Sequence, residues 1–214
     1  MRVLLMTCTY KRLDFLRFCM LQMHLQDYKE WEWIICATGP ENRLSDVVGD
    51  IFDERMYIHW EPSNDHPTKN WKRLVSKVNL DNYDLFIKID DDDIYKTDYI
   101  KSIVDWHERN KTVDVSSQTV SFSVTAGVIK SFKFQSLSQE LVLKNKNVGM
   151  ASSLAITRTG IKAITDCEFI SNKWADKTWW EYWIDNNYNI GLRERTDNHI
   201  LNIHGRNTTT NHLI

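Results

Sequence analysis

The stretch Leu85-Phe86-Ile87-Lys88-Ile89-Asp90-Asp91-Asp92-Asp93-Ile94 decides the fold. Its first half is an apolar run broken only by Lys88, the pattern of a buried strand. Its second half places four carboxylates at the end of that strand. In an extended chain successive side chains point to opposite faces, so Asp90 and Asp92 are expected on one side. Like charges at contact distance repel by about 1 kcal/mol in water and by about 4 where the effective dielectric is low. The cluster therefore needs compensation. A divalent cation is the simplest compensator, because hard Mg²⁺ or Mn²⁺ prefers carboxylate oxygen. The competing reading is a solvated turn that caps a helix starting near Thr97.

Outward from this stretch, strands and helices alternate. Val3 to Met6 reads as a first strand, and Asp14 opens a segment with Phe15, Leu16, Cys19, Met20 and Met23 at helical spacing. Trp33 to Cys36 reads as a second strand, ended by Thr38-Gly39-Pro40. A helix is expected around Leu44 to Phe52 and a third strand over Met56 to Trp60. After the polar loop Pro62 to Pro67, Trp71, Leu74, Val75 and Val78 mark a helix that leads into the Leu85 strand. Such alternation predicts an α/β fold: a Rossmann-like, open, mostly parallel sheet with helices on both faces. Ligands of these sheets bind outside the carboxyl ends of the strands, where Thr7 to Tyr10, Thr38 and the aspartates fall.

The second half differs. A helix is expected from Asp98 to about Arg109, and antiparallel strands or an excursion between Val113 and Lys146. Ser152 to Thr157 reads as a strand, Gly160 to Thr165 as a short helix, and Thr178 to Asn186 as a helix crowded with aromatics. No repeat or linker divides the chain, so residues 1–214 read as one domain.

A formal charge of −2 gives no electrostatic argument for nucleic acid as a partner. No apolar run approaches the length of a membrane span, and the N-terminus lacks the features of a signal peptide. The four cysteines form no CxxC pair and read as buried free thiols, which points to a reducing, cytoplasmic setting. The nine tryptophans serve either core packing or stacking on sugars and bases.

Several of these elements together resemble nucleotide-sugar glycosyltransferases of the GT-A fold, and glycosyltransferase family 2 most closely. Thr9-Tyr10-Lys11-Arg12 looks like the family's opening Thr-Tyr-Asn-Arg element, and Lys69-Asn70 like its Arg-Asn pair. Ile89-Asp90-Asp91-Asp92-Asp93-Ile94, with Asp98-Tyr99-Ile100 after it, matches the Asp-x-Asp-Asp element. Ile203-His204-Gly205-Arg206-Asn207-Thr208-Thr209 is similar to the closing His-Gly-x-Asn-Thr segment. Ser153 to Arg158 looks like the strand before the acceptor-site helix, and Asp176 falls where the family carries the aspartate of a Glu-Asp pair. The chain departs from the pattern at Ala37-Thr38-Gly39-Pro40, where many relatives have Asp-Asp-Gly-Ser, and at Ala175 in place of the Glu.

The resemblance implies a GT-A fold with a smaller antiparallel C-terminal part, a donor-binding half over about residues 1–100 and an acceptor-binding half over about 101–214. It implies transfer of a sugar from a nucleotide-sugar, UDP favoured, to a glycan or glycoconjugate hydroxyl, with inversion and with Mn²⁺ or Mg²⁺ as cofactor. Asp92, Asp90 and His204 are then the metal ligands. Thr7, Thr9, Tyr10, Arg12, Thr38, Lys69, Asp90 and Asp91 become donor contacts. Asp176 is the general base, with Glu181 in reserve, and Trp179 and Trp180 are acceptor platforms. Core packing and a helix N-cap are the competing roles for the tryptophans and for Asp176. Two other functions fit parts of the pattern. One is a carbohydrate-binding module without turnover. The other is a haloacid-dehalogenase-like phosphatase, whose motif wants Thr or Val where Ile94 stands.

Overall fold

Strand β1 (Val3–Tyr10) is buried on both faces, and its alternation sorts the core into two layers. Val3 and Leu5 pack with Leu16, Cys19, Met20 and Met23 of α1 (Leu13–His24). Leu4 and Met6 point the other way, into a cluster with Trp71, Ile161, Trp179 and Trp183. A strand covered on both sides has no polar face to alternate with, which is why β1 reads as a continuous apolar run.

The computed structural model describes residues 1–10, 12–39, 48–62, 67–118, 120–125, 128–133, 153–167, 175–193 and 199–203. After α1 come β2 (Trp31–Thr38), β3 (Met56–Glu61), α2 (Pro67–Ser76), β4 (Leu85–Lys88), β5 (Ile94–Tyr95) and α3 (Tyr99–Arg109). Then follow β6 (Val115–Gln118), β7 (Val120–Thr125), β8 (Val128–Lys133), β9 (Ala155–Thr157), α4 (Arg158–Asp166), α5 (Ala175–Asp185), β10 (Ile190–Arg193) and β11 (His199–Ile203).

The main sheet has seven strands in the order β10-β6-β9-β4-β1-β2-β3. All run parallel except β9, which lies antiparallel between β4 and β6. Helices α1 and α3 line one face of it, and α2, α4 and α5 the other. A second sheet of four strands has the order β5-β11-β7-β8. Two of its pairings are antiparallel and one, β11 with β7, is parallel. The expected open, mostly parallel sheet with a smaller, largely antiparallel part is therefore present.

Boundaries moved where local chemistry overrode periodicity. Helix α2 begins at Pro67, since proline suits the first helical position and its fixed φ starts the helix early. Of the helix expected over Leu44 to Phe52, the described part contains a 3₁₀ turn at Gly49–Ile51, and residues 41–47 lie outside the described residues. Within Val113 to Lys146, β7 and β8 form the expected antiparallel pair, while β6 joins the main sheet beside β10. The aspartates also depart from expectation. They are not extended but turn back, with the Asp93 amide donating to the Asp90 carbonyl at 3.4 Å.

Candidate active site

Strands β1, β2 and β3 step outward to one edge of the sheet, and α2 returns the chain to β4 on the other side of β1. The gap between the carboxyl ends of β1 and β4 is thus the point where strand order reverses, the usual ligand site of an open α/β sheet. The Ile89 amide donates to Met6 O at 2.9 Å, and Thr7 Oγ1 donates to Ile89 O at 2.7 Å. Trp33 Nε1 in turn donates to Thr7 Oγ1 at 3.0 Å. The aspartate turn therefore starts from a point fastened to β1.

From there the four carboxylates go to different partners. Asp90, 29% exposed, pairs with Lys88 Nζ. Asp91 is buried, accepts a hydrogen bond from Thr9 Oγ1, and lies 2.6 Å from Arg12 Nη2. Asp92 pairs with Arg12 Nη1, so one guanidinium spans two neighbouring carboxylates. Asp93 meets His199 Nε2 of β11 at 2.9 Å, both side chains being buried. The backbone is braced as well. The Asp90 amide donates to Tyr95 Oη at 2.8 Å, and Gln22 Nε2 of α1 donates to Asp93 O at 3.1 Å.

These surroundings set the carboxyl acidities. Burial pushes Asp91 up to about 7, against the opposing pull of Arg12. Burial also raises Asp92, again opposed by Arg12. At Asp90 burial is outweighed by the charge and hydrogen bond of Lys88, with Arg12 helping, and the carboxyl lies below its usual range. Lys88 and Arg12 supply part of the compensation that the acidic run calls for.

Among the described residues, no group of three or more His, Cys, Asp and Glu side chains is arranged to hold a metal ion. The oxygens of Asp90 and Asp92 are the hard donors that Mn²⁺ or Mg²⁺ takes, so the donor chemistry fits such an ion. Arg12 holds one of the Asp92 oxygens, Oδ2.

The sequence matches the family model described as Glycosyl transferase family 2 over residues 5–165. The chain belongs to that family. No curated protein sequence matches it. Among solved structures, this family 2 chain resembles S. aureus TarS 1-349 in complex with UDP-GlcNAc, with a TM-score of 0.75, 12% identity, and coverage of 97% of this chain and 60% of that one. It also resembles the same TarS fragment in complex with UDP, with a TM-score of 0.72, 13% identity, and coverage of 95% and 61%. Mannosyltransferase PcManGT from Pyrobaculum calidifontis, in complex with GDP-Man and Mn²⁺, has a TM-score of 0.68, 13% identity, and coverage of 96% and 58%. The GT-A fold is shared, and this chain spans about 60% of the length of the TarS fragment.

Of the residues singled out in the sequence, Tyr10, Arg12, Lys69 and Asp90 keep solvent-accessible surface at or near the carboxyl edge. Thr7, Thr9 and Thr38 are buried, and each has its hydroxyl in a bond: to Ile89 O, to Asp91, and to Thr9 O at 3.1 Å. As placed, their hydroxyls are engaged within the protein. Trp179 and Trp180 are 1% and 3% exposed. They pack edge-on against Trp71 at 5.6 Å and Trp183 at 5.1 Å. Core packing therefore holds in this structure, and neither ring offers a face to an acceptor, because the apolar stripe of α5 must cover the sheet. Glu181 is partly buried on α5, and Asp176 lies in the first turn of that helix with its side chain outside the described part. His204 lies outside the described residues.

Four partners of the turn were not singled out from the sequence as functional residues: Lys88, Tyr95, Gln22 and His199. Lys88 carried a signal, being a cation inside an apolar strand and two residues before the first aspartate of the acidic run. Gln22 and His199 carried none, since each reaches the turn from more than 70 residues away in sequence.

Proposed function

We propose that the chain transfers a sugar from a nucleotide-sugar to a hydroxyl of a glycan or glycoconjugate, with inversion at the anomeric carbon. UDP is the favoured nucleotide and Mn²⁺ or Mg²⁺ the cofactor. The observation that carries this reading is the Asp90–Asp93 turn, bonded to Thr9 and Arg12 at the reversal point of a family 2 sheet. Support comes from the TarS structures with UDP-GlcNAc and UDP and from PcManGT with GDP-Man and Mn²⁺.

In this reading about residues 1–100 bind the donor and about 101–214 the acceptor. Tyr10, Arg12, Lys69 and Asp90 meet the nucleotide and its diphosphate. Asp92 and Asp90 hold the ion, with His204 as a further ligand. A bound ion would supply positive charge to the leaving diphosphate. Asp176 accepts the proton of the acceptor hydroxyl as its oxygen bonds to the anomeric carbon and the bond from that carbon to the phosphate oxygen breaks. Glu181 is the reserve base. Such a base is worth about 10²–10⁴-fold in rate.

The test is a donor screen with Mn²⁺, in which UDP-, GDP- and dTDP-sugars are incubated with the protein and released nucleoside diphosphate is measured. Metal-dependent release from one donor, lost in Asp92→Asn, is the expected result. No release and no thermal shift with any nucleotide would overturn the transferase reading and favour a sugar-binding module.

A further inference from the structure

The guanidinium of Arg12 occupies Asp92 Oδ2, an oxygen for which a divalent cation would compete. It forks across two carboxylates, Nη2 at 2.6 Å from Asp91 Oδ1 and Nη1 on Asp92 Oδ2. The two arms differ in kind. Asp91 is 1% exposed and also bonded to Thr9, so it is fixed from behind. Asp92 lies at the outer side of the pair, and the Arg12 side chain itself is 20% exposed. Arg12 stands just before the first residue of α1, and its carbonyl accepts the Leu16 amide at 3.0 Å. Its backbone is therefore held by the helix, and its long side chain reaches the site through several rotatable bonds. A guanidinium and a divalent ion cannot share one carboxylate oxygen at contact distance without strong mutual repulsion.

We propose that Arg12 is an exchangeable internal counter-cation of the donor site: a divalent ion displaces its Nη1 arm from Asp92, and the freed guanidinium, still anchored on Asp91, turns to the diphosphate of the nucleotide. This rests on the nucleotide-sugar reading above. It explains why an acid occupies position 91, deeper than Asp90 and Asp92, since Asp91 keeps the displaced guanidinium at the site. It also makes ion and nucleotide bind cooperatively, because each supplies what the other's arrival removes: the ion replaces Arg12 on Asp92, and the diphosphate replaces Asp92 on Arg12. A planar guanidinium suits both partners, pairing with carboxylate and phosphate in the same forked geometry.

The test measures binding and not turnover. Mn²⁺ affinity without nucleotide is read by electron paramagnetic resonance of free Mn²⁺, and UDP affinity by calorimetry with and without Mn²⁺. In the wild type, Mn²⁺ alone is expected to bind weakly and to strengthen UDP binding. In Arg12→Gln, Mn²⁺ alone is expected to bind at least about tenfold more tightly, UDP more weakly, and the coupling between them to shrink. If removal of Arg12 destabilises the fold by leaving Asp91 buried without its cation, the double variant Arg12→Gln/Asp91→Asn removes both charges and gives the same readout. Unchanged or weaker Mn²⁺ binding in these variants, with UDP and Mn²⁺ still binding the wild type, would overturn the exchange alone. Absence of Mn²⁺ and UDP binding in every protein would overturn the nucleotide-sugar reading and the exchange together.

Discussion

His199 Nε2 and Asp93 Oδ2 stand 2.9 Å apart, 106 residues distant in sequence and both buried, and this bond ties the second sheet to the aspartate turn. The imidazole stacks on Tyr95 with ring centroids 5.1 Å apart and leans on Tyr99 at 5.5 Å. His199→Phe keeps a ring in that slot and removes the hydrogen bond to Asp93. A loss of about 1–3 kcal/mol in urea denaturation is expected, the cost of taking a partner from a buried carboxylate. Nucleotide affinity should fall with it, as the turn loosens. Unchanged stability would show that the bond contributes nothing.

The proposed roles of Asp176 and Glu181 separate in kinetics. Asp176→Asn is expected to lower kcat by about 10²–10⁴-fold with little change in donor affinity, as for loss of a general base. Glu181→Gln should leave kcat near the wild-type value. The reverse pattern in steady-state assays of transfer would move the base to Glu181.

A buried histidine sets an acid limit on stability. His107 is 2% exposed, its Nε2 lies 2.8 Å from Ser116 Oγ, and burial, with the charge of Arg193 helping, lowers its pKa from 6.5 to about 3. The folded state thus disfavours the proton that the unfolded chain takes up below pH 6.5. The contribution of neutral His107 is complete above that pH and is lost as pH falls from about 6.5 toward 3, at up to about 1.4 kcal/mol per pH unit. His107→Gln should flatten the pH dependence of unfolding free energy in that window relative to the wild type. Parallel curves for the two proteins would count against the shift.

Two glycines offer a contrast. A Cβ on Gly191 would lie 2.4 Å from Trp106 Cη2 and 2.9 Å from Val113 Cγ1, where α3 crosses β10. Gly191→Ala is expected to cost about 1–3 kcal/mol by overpacking. Gly49 has nothing within 4 Å of the same position, and Gly49→Ala should stay within about 0.5 kcal/mol. Thermal denaturation of the two variants side by side checks both.

The sequence by itself determined the parallel half of the sheet, β1 to β4, and the address of the site. Period and punctuation are local properties: the apolar runs at Val3, Trp33, Met56 and Leu85, with the breakers between them, were enough to imply parallel strands, and the aspartates marked the carboxyl edge. Tertiary structure decided what each acidic side chain does there. Expected as an alternating, metal-seeking row, the aspartates form a turn whose charges are met by Lys88, Arg12 and His199. Tertiary structure also placed Trp179 and Trp180 in the core, where the size of tryptophan and its rare full burial had left packing and stacking equally open. The physical reason is the same in each case. A carboxylate's partner and a ring's exposure depend on groups brought within a few ångströms by strand order, and strand order is not a property of any local stretch of chain.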